Sequence, residues 1–124
     1  MIYITQPTYL PWIGYFGFLQ KSSEVVFLDD IQFARRSWQQ RNKIMFGEKY
    51  RYLTVPVISK GKRDQLIKDV EIYEQNFFEN HLKIIKNTYK NTPYFQEVFK
   101  LLNDLKDQIN QLIHLSDINI MIIE

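Results

Sequence analysis

The hydrophobic pattern at the start of the chain predicts a strand, a helix and a second strand. β-Branched and aromatic residues fill positions 1–5 and end at Gln6-Pro7, which is typical of a short strand. Pro11 fits the first position of a helix, and apolar residues recur after it at helical spacing as far as Lys21. The apolar run at positions 25–28 lies between polar residues and therefore predicts a buried strand parallel to the first.

The middle of the chain predicts a further strand and a basic loop. Residues 50–58 alternate in the manner of a strand, after a turn around Gly47. We expect Pro56 at an edge or at the end of this strand, because proline cannot donate a ladder hydrogen bond. Residues 59–65 read as a mobile basic loop, and residues 66–73 as a possible additional strand.

The last part of the chain changes to a helical period. Asn76 is expected to cap a helix that continues to about Lys90, where Thr92-Pro93 ends it. A second helix is expected from about Tyr94 to Leu105 or beyond.

A third helix is predicted at the end of the chain, with Ser116 as its cap and Asp117 as its first residue. Residues 118–123 of this helix are almost all apolar, so a chain that stopped here would expose an apolar patch. The expectation is that the chain is truncated.

These elements together predict the α/β class. The expected architecture is a short, mostly parallel sheet that opens with strand, turn, helix and strand, as in nucleotide-binding folds, followed by a helical C-terminal part. We predict one domain over residues 1–124, with an α/β part at residues 1–75 and a helical part at residues 76–124.

Composition and charge narrow the classes of function. With 124 residues the chain is long enough for one small domain, and its net charge of +2 gives no strong reason to expect nucleic acid or a membrane as partner. The absence of cysteine excludes disulfides, a thiol nucleophile and a cysteine-based zinc site. No apolar run approaches the roughly 20 residues that a membrane span needs, so a cytoplasmic protein is expected.

The turn after the first strand is rich in aromatic residues and is a candidate site. Trp12-Ile13-Gly14-Tyr15 stands where nucleotidyltransferases carry a His-x-Gly-His turn, but indole does not supply the charge of those histidines. Adenylyl transfer is therefore disfavoured, although the rings can stack on a nucleotide. The alternative is that they only pack the helix on the sheet. Gln6, Tyr9 and Trp12 flank a turn at the carboxyl end of a strand, where open α/β sheets bind ligands.

The densest polar chemistry follows the second strand. Asp29 and Asp30 can bind a divalent cation, hold a ribose or act as a general base, and three arginines follow within twelve residues. The alternatives are a solvated loop of paired charges, or a run that tracks a nucleic-acid backbone while Trp38 stacks on a base. The neighbouring acids and the low net charge make nucleic acid the less favoured partner.

Histidine contributes no recognisable metal motif. His81 and His114 are far apart in sequence, and no His, Asp or Glu set has metal-ligand spacing. His81 lies near the start of the helix expected from Asn76 to about Lys90. A lone histidine in such a position is more often structural than catalytic, although His81 can reach a neighbouring site from there.

Residues 6–44 resemble the opening of the WbqC-like family. The resemblance lies in Gln-Pro-x-Tyr-x-Pro-Trp and Arg-x-x-Gln-x-Arg-Asn, and it continues through LTVPV, HLKIIKNTYKNTPYF and LSDINI. Members are nearly twice as long, so the resemblance implies the N-terminal half of a member. It also implies a role in the synthesis of bacterial O-antigen and other surface polysaccharides, where some members are described as glycine transferases. The recurring polar and aromatic residues of the family fall here on Gln6, Tyr9, Trp12, Gly14, Tyr15, Asp29, Asp30, Gln32, Arg36, Gln39, Arg41, Asn42, Pro56 and His81.

The first hypothesis is an enzyme that transfers a small acyl or aminoacyl group, such as glycyl, to a nucleotide-linked amino sugar. The acid–base candidates are Asp30, Asp29 and His81, with Asp30 deprotonating the accepting amine. The substrate-binding candidates are Gln6, Tyr9, Trp12, Gly14, Tyr15, Gln32, Arg36, Gln39, Arg41 and Asn42. Tyr9 and Trp12 would stack on the base or sugar, and Arg36 and Arg41 would hold phosphate.

The alternatives are a non-catalytic module that binds a nucleotide sugar or a partner protein, and a single-stranded nucleic-acid binder. The cofactor and the oligomeric state stay open, and no metal site is predicted.

Overall fold

The chain folds as an α/β protein, as the sequence predicts. A computed structural model describes residues 1–124 apart from the side chain of Phe46. In chain order the elements are β1 (Ile2–Thr5), α1 (Ile13–Lys21), β2 (Glu24–Phe27), β3 (Arg41–Phe46), β4 (Lys49–Thr54), a 3-10 helix (Ile67–Asp69), α2 (Phe77–Tyr89), α3 (Phe95–Asp104), α4 (Lys106–Ile109) and α5 (Leu115–Ile123). None of the helices in this described part is long and apolar enough to cross a membrane.

Strands β1 and β2 form a parallel pair with α1 as the crossover, which confirms the predicted opening unit. On the face covered by α1, the ring of Tyr3 stacks on Phe18 with centroids 5.3 Å apart. On the other face Ile2 and Ile4 stay 58% and 59% exposed, and Val26 of β2 is exposed as well. The prediction that the second strand is buried is therefore wrong, because α1 covers one face of the sheet and leaves the other open.

Strands β3 and β4 form an antiparallel hairpin around Gly47, whose φ of +64° favours glycine. We did not predict β3, since its first residues read as a charged loop. Its charges are held on the outer face by rings of β4: the guanidinium of Arg41 lies 3.8 Å from the ring centroid of Tyr52, and the ammonium of Lys43 lies 4.3 Å from that of Tyr50. Pro56 follows the end of β4, as expected.

The segment after the basic loop is not the additional strand that the pattern suggested. Residues 67–69 form a 3-10 helix, and isolated bridges join Leu66 to Gln32 and Ile72 to Val57. Ile67 is fully buried. The apolar residues of this segment therefore reflect packing in the core and not a ladder of strand hydrogen bonds.

The positions of helices α1 and α2 largely follow the sequence pattern. Helix α2 begins directly after Asn76, as predicted, although the Asn76 side chain makes no capping hydrogen bond. Helix α1 begins at Ile13 with Trp12 at its N-cap, so Pro11 lies outside the helix and not at its first position.

Helix α5 departs further from the prediction. It begins at Leu115 after His114, and Ser116 is buried within it instead of capping it. Ile118 is fully buried, and Met121 and Ile122 pack half-buried against the core. The apolar residues of this helix therefore contribute to the core, contrary to the exposed patch that we expected.

The core lies among the hairpin, the 3-10 helix and the late helices. Its fully buried members are Tyr9, Leu53, Val55, Ile67, Val70, Phe78, Ile109, Leu115 and Ile118. Tyr9 comes from the loop between β1 and α1, so this loop joins the parallel unit to the core. The candidate site is built on the same loop.

Candidate functional site

An aromatic cavity of about 240 Å³ lies between the loop before α1 and the turn before β3. We call residues 6–12 the site loop and residues 34–40 the site turn. The residues that line this aromatic cavity are Thr8, Pro11, Trp12, Tyr15, Trp38 and Asn42. Trp12 is 65% exposed and Trp38 is 53% exposed, so two indole rings border one cavity and remain accessible to a ligand.

Hydrogen bonds from one backbone amide and one side-chain amide tie the site loop to the site turn and to β3. The amide of Tyr9 donates to the carbonyl of Trp38 at 2.9 Å. The Nδ2 of Asn42 donates to the carbonyls of Tyr9 at 3.2 Å and Leu10 at 2.6 Å. Leu10 has a φ of +46°, a conformation that a leucine rarely adopts, and the two Asn42 bonds help to hold it. The walls of the aromatic cavity are therefore fixed relative to one another without a ligand.

Three side-chain amides form a second set of ties. The Oε1 of Gln6 accepts a hydrogen bond from the Nε2 of Gln39, whose Oε1 accepts from the amide of Ala34 at 3.3 Å. The Nδ2 of Asn119, on α5, donates to the carbonyls of Pro7 at 3.3 Å and Gln39 at 2.8 Å. Gln39 and Asn119 are both buried, so these amides position the site loop and the site turn and do not themselves face a ligand.

Tyr15 and Gly14 shape the α1 side of the aromatic cavity. The hydroxyl of Tyr15 donates to the carbonyl of Gln6 at 2.9 Å, and burial raises the pKa of this phenol, so it stays a protonated donor. A Cβ atom at Gly14 would lie 1.8 Å from Cζ3 of Trp12. Only glycine at this position allows the indole ring to lie where it does.

Tyr9 and His81 form a buried polar pair that anchors the site loop. The Tyr9 hydroxyl lies 2.6 Å from Nδ1 of His81, and Nε2 lies 3.2 Å from the carbonyl of Thr54. A carbonyl can only accept, so Nε2 carries the proton and Nδ1 accepts from the Tyr9 hydroxyl. Burial lowers the pKa of His81 to about 4 and raises that of Tyr9 well above its usual value. Both groups are therefore neutral near pH 7, and neither is among the residues that line the aromatic cavity.

Asp29 and Asp30 follow β2 at the edge of the sheet from which the site loop also leaves. The amide of Leu28 donates to the carbonyl of Thr5 at 2.7 Å, which extends the pairing of the two strands to this edge. The carbonyl of Asp29 accepts from the amide of Lys68 at 2.7 Å. Neither carboxylate lines the aromatic cavity, and the described residues contain no cluster of three or more side chains able to hold a metal.

The remaining predicted residues lie away from the aromatic cavity. Gln32 donates through Nε2 to the carbonyl of Arg63 at 3.2 Å. Arg36 is exposed at a φ of +58°, and its amide donates to Oε1 of Gln40 at 3.0 Å. Arg41 stacks on Tyr52. The structure thus brings together Gln6, Tyr9, Trp12, Tyr15, Gln39 and Asn42, but not the predicted arginines.

Trp38 and Asn119 were missing from the predicted site. Trp38 had been considered only as a stacking partner for nucleic acid, although a tryptophan inside a polar run is itself a signal of an exposed ring. Asn119 interrupts the apolar residues of α5, and a single amide in such a run indicates buried backbone groups that need a donor.

Comparison with known proteins identifies the family. The WbqC-like protein family matches residues 6–124. The uncharacterized protein Rv1507c of Mycobacterium tuberculosis (strain ATCC 25618 / H37Rv) is 32% identical over 95 residues, which are 77% of this chain and 41% of that protein. The matched part of the chain thus spans less than half of this relative. No solved structure matches the chain. Because the family match extends over nearly all of the sequence, the chain belongs to the WbqC-like protein family.

Proposed function

We propose that the aromatic cavity binds a nucleotide-linked amino sugar. The observation that carries this proposal is the pair of half-exposed indoles, Trp12 and Trp38, on one cavity with Tyr15. Large rings that border a concave site at the carboxyl edge of parallel strands are typical of ligand binding. A nucleobase can stack its planar ring on an indole face, and a sugar can place its apolar face of C–H groups against one.

Recognition in this cavity would depend on stacking more than on hydrogen bonds. The Nδ2 of Asn42 already donates to two carbonyls, and its Oδ1 accepts from the amide of Lys43 at 2.8 Å. The Tyr15 hydroxyl is likewise occupied by Gln6. Stacking of a base on an aromatic side chain contributes about 1–3 kcal/mol and discriminates little between bases. The proposal therefore expects UDP- and dTDP-linked sugars to bind with similar affinity.

The reaction that we propose is transfer of a small acyl or aminoacyl group, such as glycyl, from an activated ester or thioester donor to the amine of that sugar in bacterial surface polysaccharide (O-antigen) synthesis. The new amide bond replaces the ester or thioester bond, and the alcohol or thiol of the donor is the leaving group. Asp30, assisted by Asp29, would take the proton of the amine. The position of both acids, at the sheet edge from which the site loop leaves, supports this assignment. His81 would be a positioning residue, because both of its ring nitrogens are already bonded in the buried pair with Tyr9.

Isothermal titration with UDP- and dTDP-linked amino sugars tests the binding step. Trp12→Ala and Trp38→Ala should each weaken binding about tenfold or more, since each removes a stacking face. Tyr73→Ala is the matched control, because Tyr73 is similarly exposed but does not line the cavity. Unchanged affinity in both tryptophan variants would refute the proposed binding site.

Turnover with acyl and aminoacyl donors tests the reaction separately. Asp30→Asn should abolish most of the activity while the sugar still binds, and Asp64→Asn, another exposed acid, should not. Sugar binding without turnover in the wild-type protein would instead favour a non-catalytic binding module. Binding of a single-stranded oligonucleotide that weakens steeply with salt, in place of the sugar, would favour the nucleic-acid alternative.

A further inference from the structure

We propose that a second cavity, on the basic loop, binds a doubly charged phosphate group. This basic cavity has a volume of about 490 Å³ and is lined by Phe33, Arg35, Ser59, Gly61 and Arg63. It shares no lining residue with the aromatic cavity, so the proposal does not depend on the function proposed for that cavity.

The charge of the basic cavity is unbalanced. Arg35 and Arg63 come from two different segments and line the same space, while none of its lining residues is an acid. Among the described residues neither arginine forms an ion pair, and the neighbouring Asp64 pairs with neither of them. Two positively charged arginines that line one cavity repel each other, and an anion bound between them would attract both and offset this repulsion.

Backbone bonds hold the two sides of the basic cavity together. The amide of Phe33 donates to the carbonyl of Gln65 at 2.9 Å, and that of Ile67 donates to Ile31 at 2.8 Å. The bond from Gln32 to the carbonyl of Arg63 adds a third tie. The segments that carry Arg35 and Arg63 are therefore already in register, so binding need not first order the loop.

The chemistry of the lining selects the class of anion. Arginine presents planar pairs of N–H donors that match the oxygens of phosphate, and Ser59 adds a hydroxyl. A single carboxylate would balance only one of the two guanidinium charges, whereas a phosphomonoester or a diphosphate balances both. The cavity is larger than one phosphate, and the ring of Phe33 offers an apolar wall for an organic part of the ligand.

Isothermal titration at low salt with inorganic phosphate, pyrophosphate and UDP tests the proposal. Arg35→Ala and Arg63→Ala should each weaken binding about tenfold or more, because each removes charge-assisted hydrogen bonds. Arg63→Lys should give an intermediate loss, since it keeps the charge but not the fork. Lys62→Ala is the matched control: it removes one positive charge from the same loop outside the cavity lining. Both arginines are exposed, so an unchanged melting temperature should confirm that the variants fold.

Arginine-dependent binding of pyrophosphate supports recognition of free phosphate, and arginine-dependent binding of UDP alone supports a phosphate carried by an organic ligand. Failure of all three probes to bind would overturn the proposal, as would equal losses in Lys62→Ala and Arg63→Ala. Trp38→Ala should leave pyrophosphate binding unchanged, because pyrophosphate has no ring to stack. A loss of pyrophosphate binding in Trp38→Ala would also contradict a separate site, whereas failure of the aromatic cavity to bind sugars would not affect this result.

Discussion

The Tyr9 hydroxyl donates a hydrogen bond to Nδ1 of His81 across 72 positions of sequence, at 2.6 Å and inside the core. This bond connects the site loop to α2, and Nε2 of the same imidazole continues to the carbonyl of Thr54 at the end of β4. The site loop is otherwise tied to the site turn, α1, β3 and α5. The Tyr9–His81 pair, together with the ring of Phe77 on α2, whose centroid lies 6.4 Å from that of Tyr9, thus links the aromatic cavity to the α2 side of the core.

Tyr9→Phe should destabilise the protein by about 1–3 kcal/mol, because it leaves the buried Nδ1 of His81 without a donor. Urea unfolding followed by circular dichroism measures this change in the free energy of unfolding. Tyr73→Phe is the control, since Tyr73 is exposed and should tolerate loss of its hydroxyl. Equal stability of Tyr9→Phe and the wild-type protein would show that the bond contributes nothing.

His81 should make the protein less stable in acid. Burial lowers its pKa from 6.5 to about 4, so between these values the unfolded state binds more protons than the folded state. Above pH 6.5 His81 does not reduce the free energy of unfolding. As the pH falls from 6.5 towards 4, the free energy of unfolding decreases by about 1.4 kcal/mol per pH unit, and by about 3 kcal/mol in total.

Comparison of the free energy of unfolding of the wild-type protein and His81→Gln over pH 4–7 isolates this contribution from that of the carboxylates. The wild-type curve should fall more steeply with acid than the curve of the variant. A proton NMR titration of the His81 ring should give a midpoint well below that of a free histidine. A midpoint near 6.5 would contradict the buried, neutral pair.

Part of this architecture follows from local sequence. The β1–α1–β2 unit could be predicted because apolar runs of strand length alternate with a helical period. The candidates Gln6, Tyr9 and Trp12 could be predicted from the aromatic turn after the first strand, and Gln39 and Asn42 from the resemblance to the family. Their roles could not, since the choice between facing a ligand and tying two loops depends on contacts distant in sequence.

Tertiary contacts explain why β3 was not predicted and why the sequence leaves the role of His81 open. Strand β3 reads as a loop because its exposed face carries Arg41 and Lys43, and only the rings of Tyr50 and Tyr52 on β4 make that face suitable for a strand. His81 reads as a possible acid–base group because its burial depends on Tyr9 and on the end of β4. Neither the cross-strand rings nor the depth of the core is visible in a local pattern.

Asn119→Ala should cost about 1–3 kcal/mol of stability, because the buried carbonyls of Pro7 and Gln39 lose their donor. Asn119→Asp should cost more at neutral pH, since a carboxylate would face two carbonyl oxygens, and part of the loss should be recovered in acid. Asn91→Ala, at an exposed position, is the control for both. Thermal unfolding at pH 7 and pH 5 measures all three, and an Asp variant as stable as the Ala variant at pH 7 would refute this account.

Two glycines on α1 allow the position of the Trp12 ring to be tested with a matched pair. Gly14→Ala places a Cβ 1.8 Å from the present site of the indole, so the exposed ring must leave the position in which it now lines the aromatic cavity. Gly17→Ala meets no atom within 4 Å. Alanine should raise helix stability at Gly17 by about 0.5–1 kcal/mol, because it restricts the unfolded chain and has the better helix propensity.

Both alanine variants should therefore fold, but only Gly14→Ala should alter the aromatic cavity. We expect Gly14→Ala to weaken the binding of UDP- or dTDP-linked amino sugars about as much as Trp12→Ala does, and Gly17→Ala to leave it unchanged. Isothermal titration and thermal unfolding of the same samples separate binding from stability. If Gly14→Ala keeps wild-type affinity while Trp12→Ala loses it, the indole binds in another orientation, and the stacking geometry proposed for the cavity is wrong.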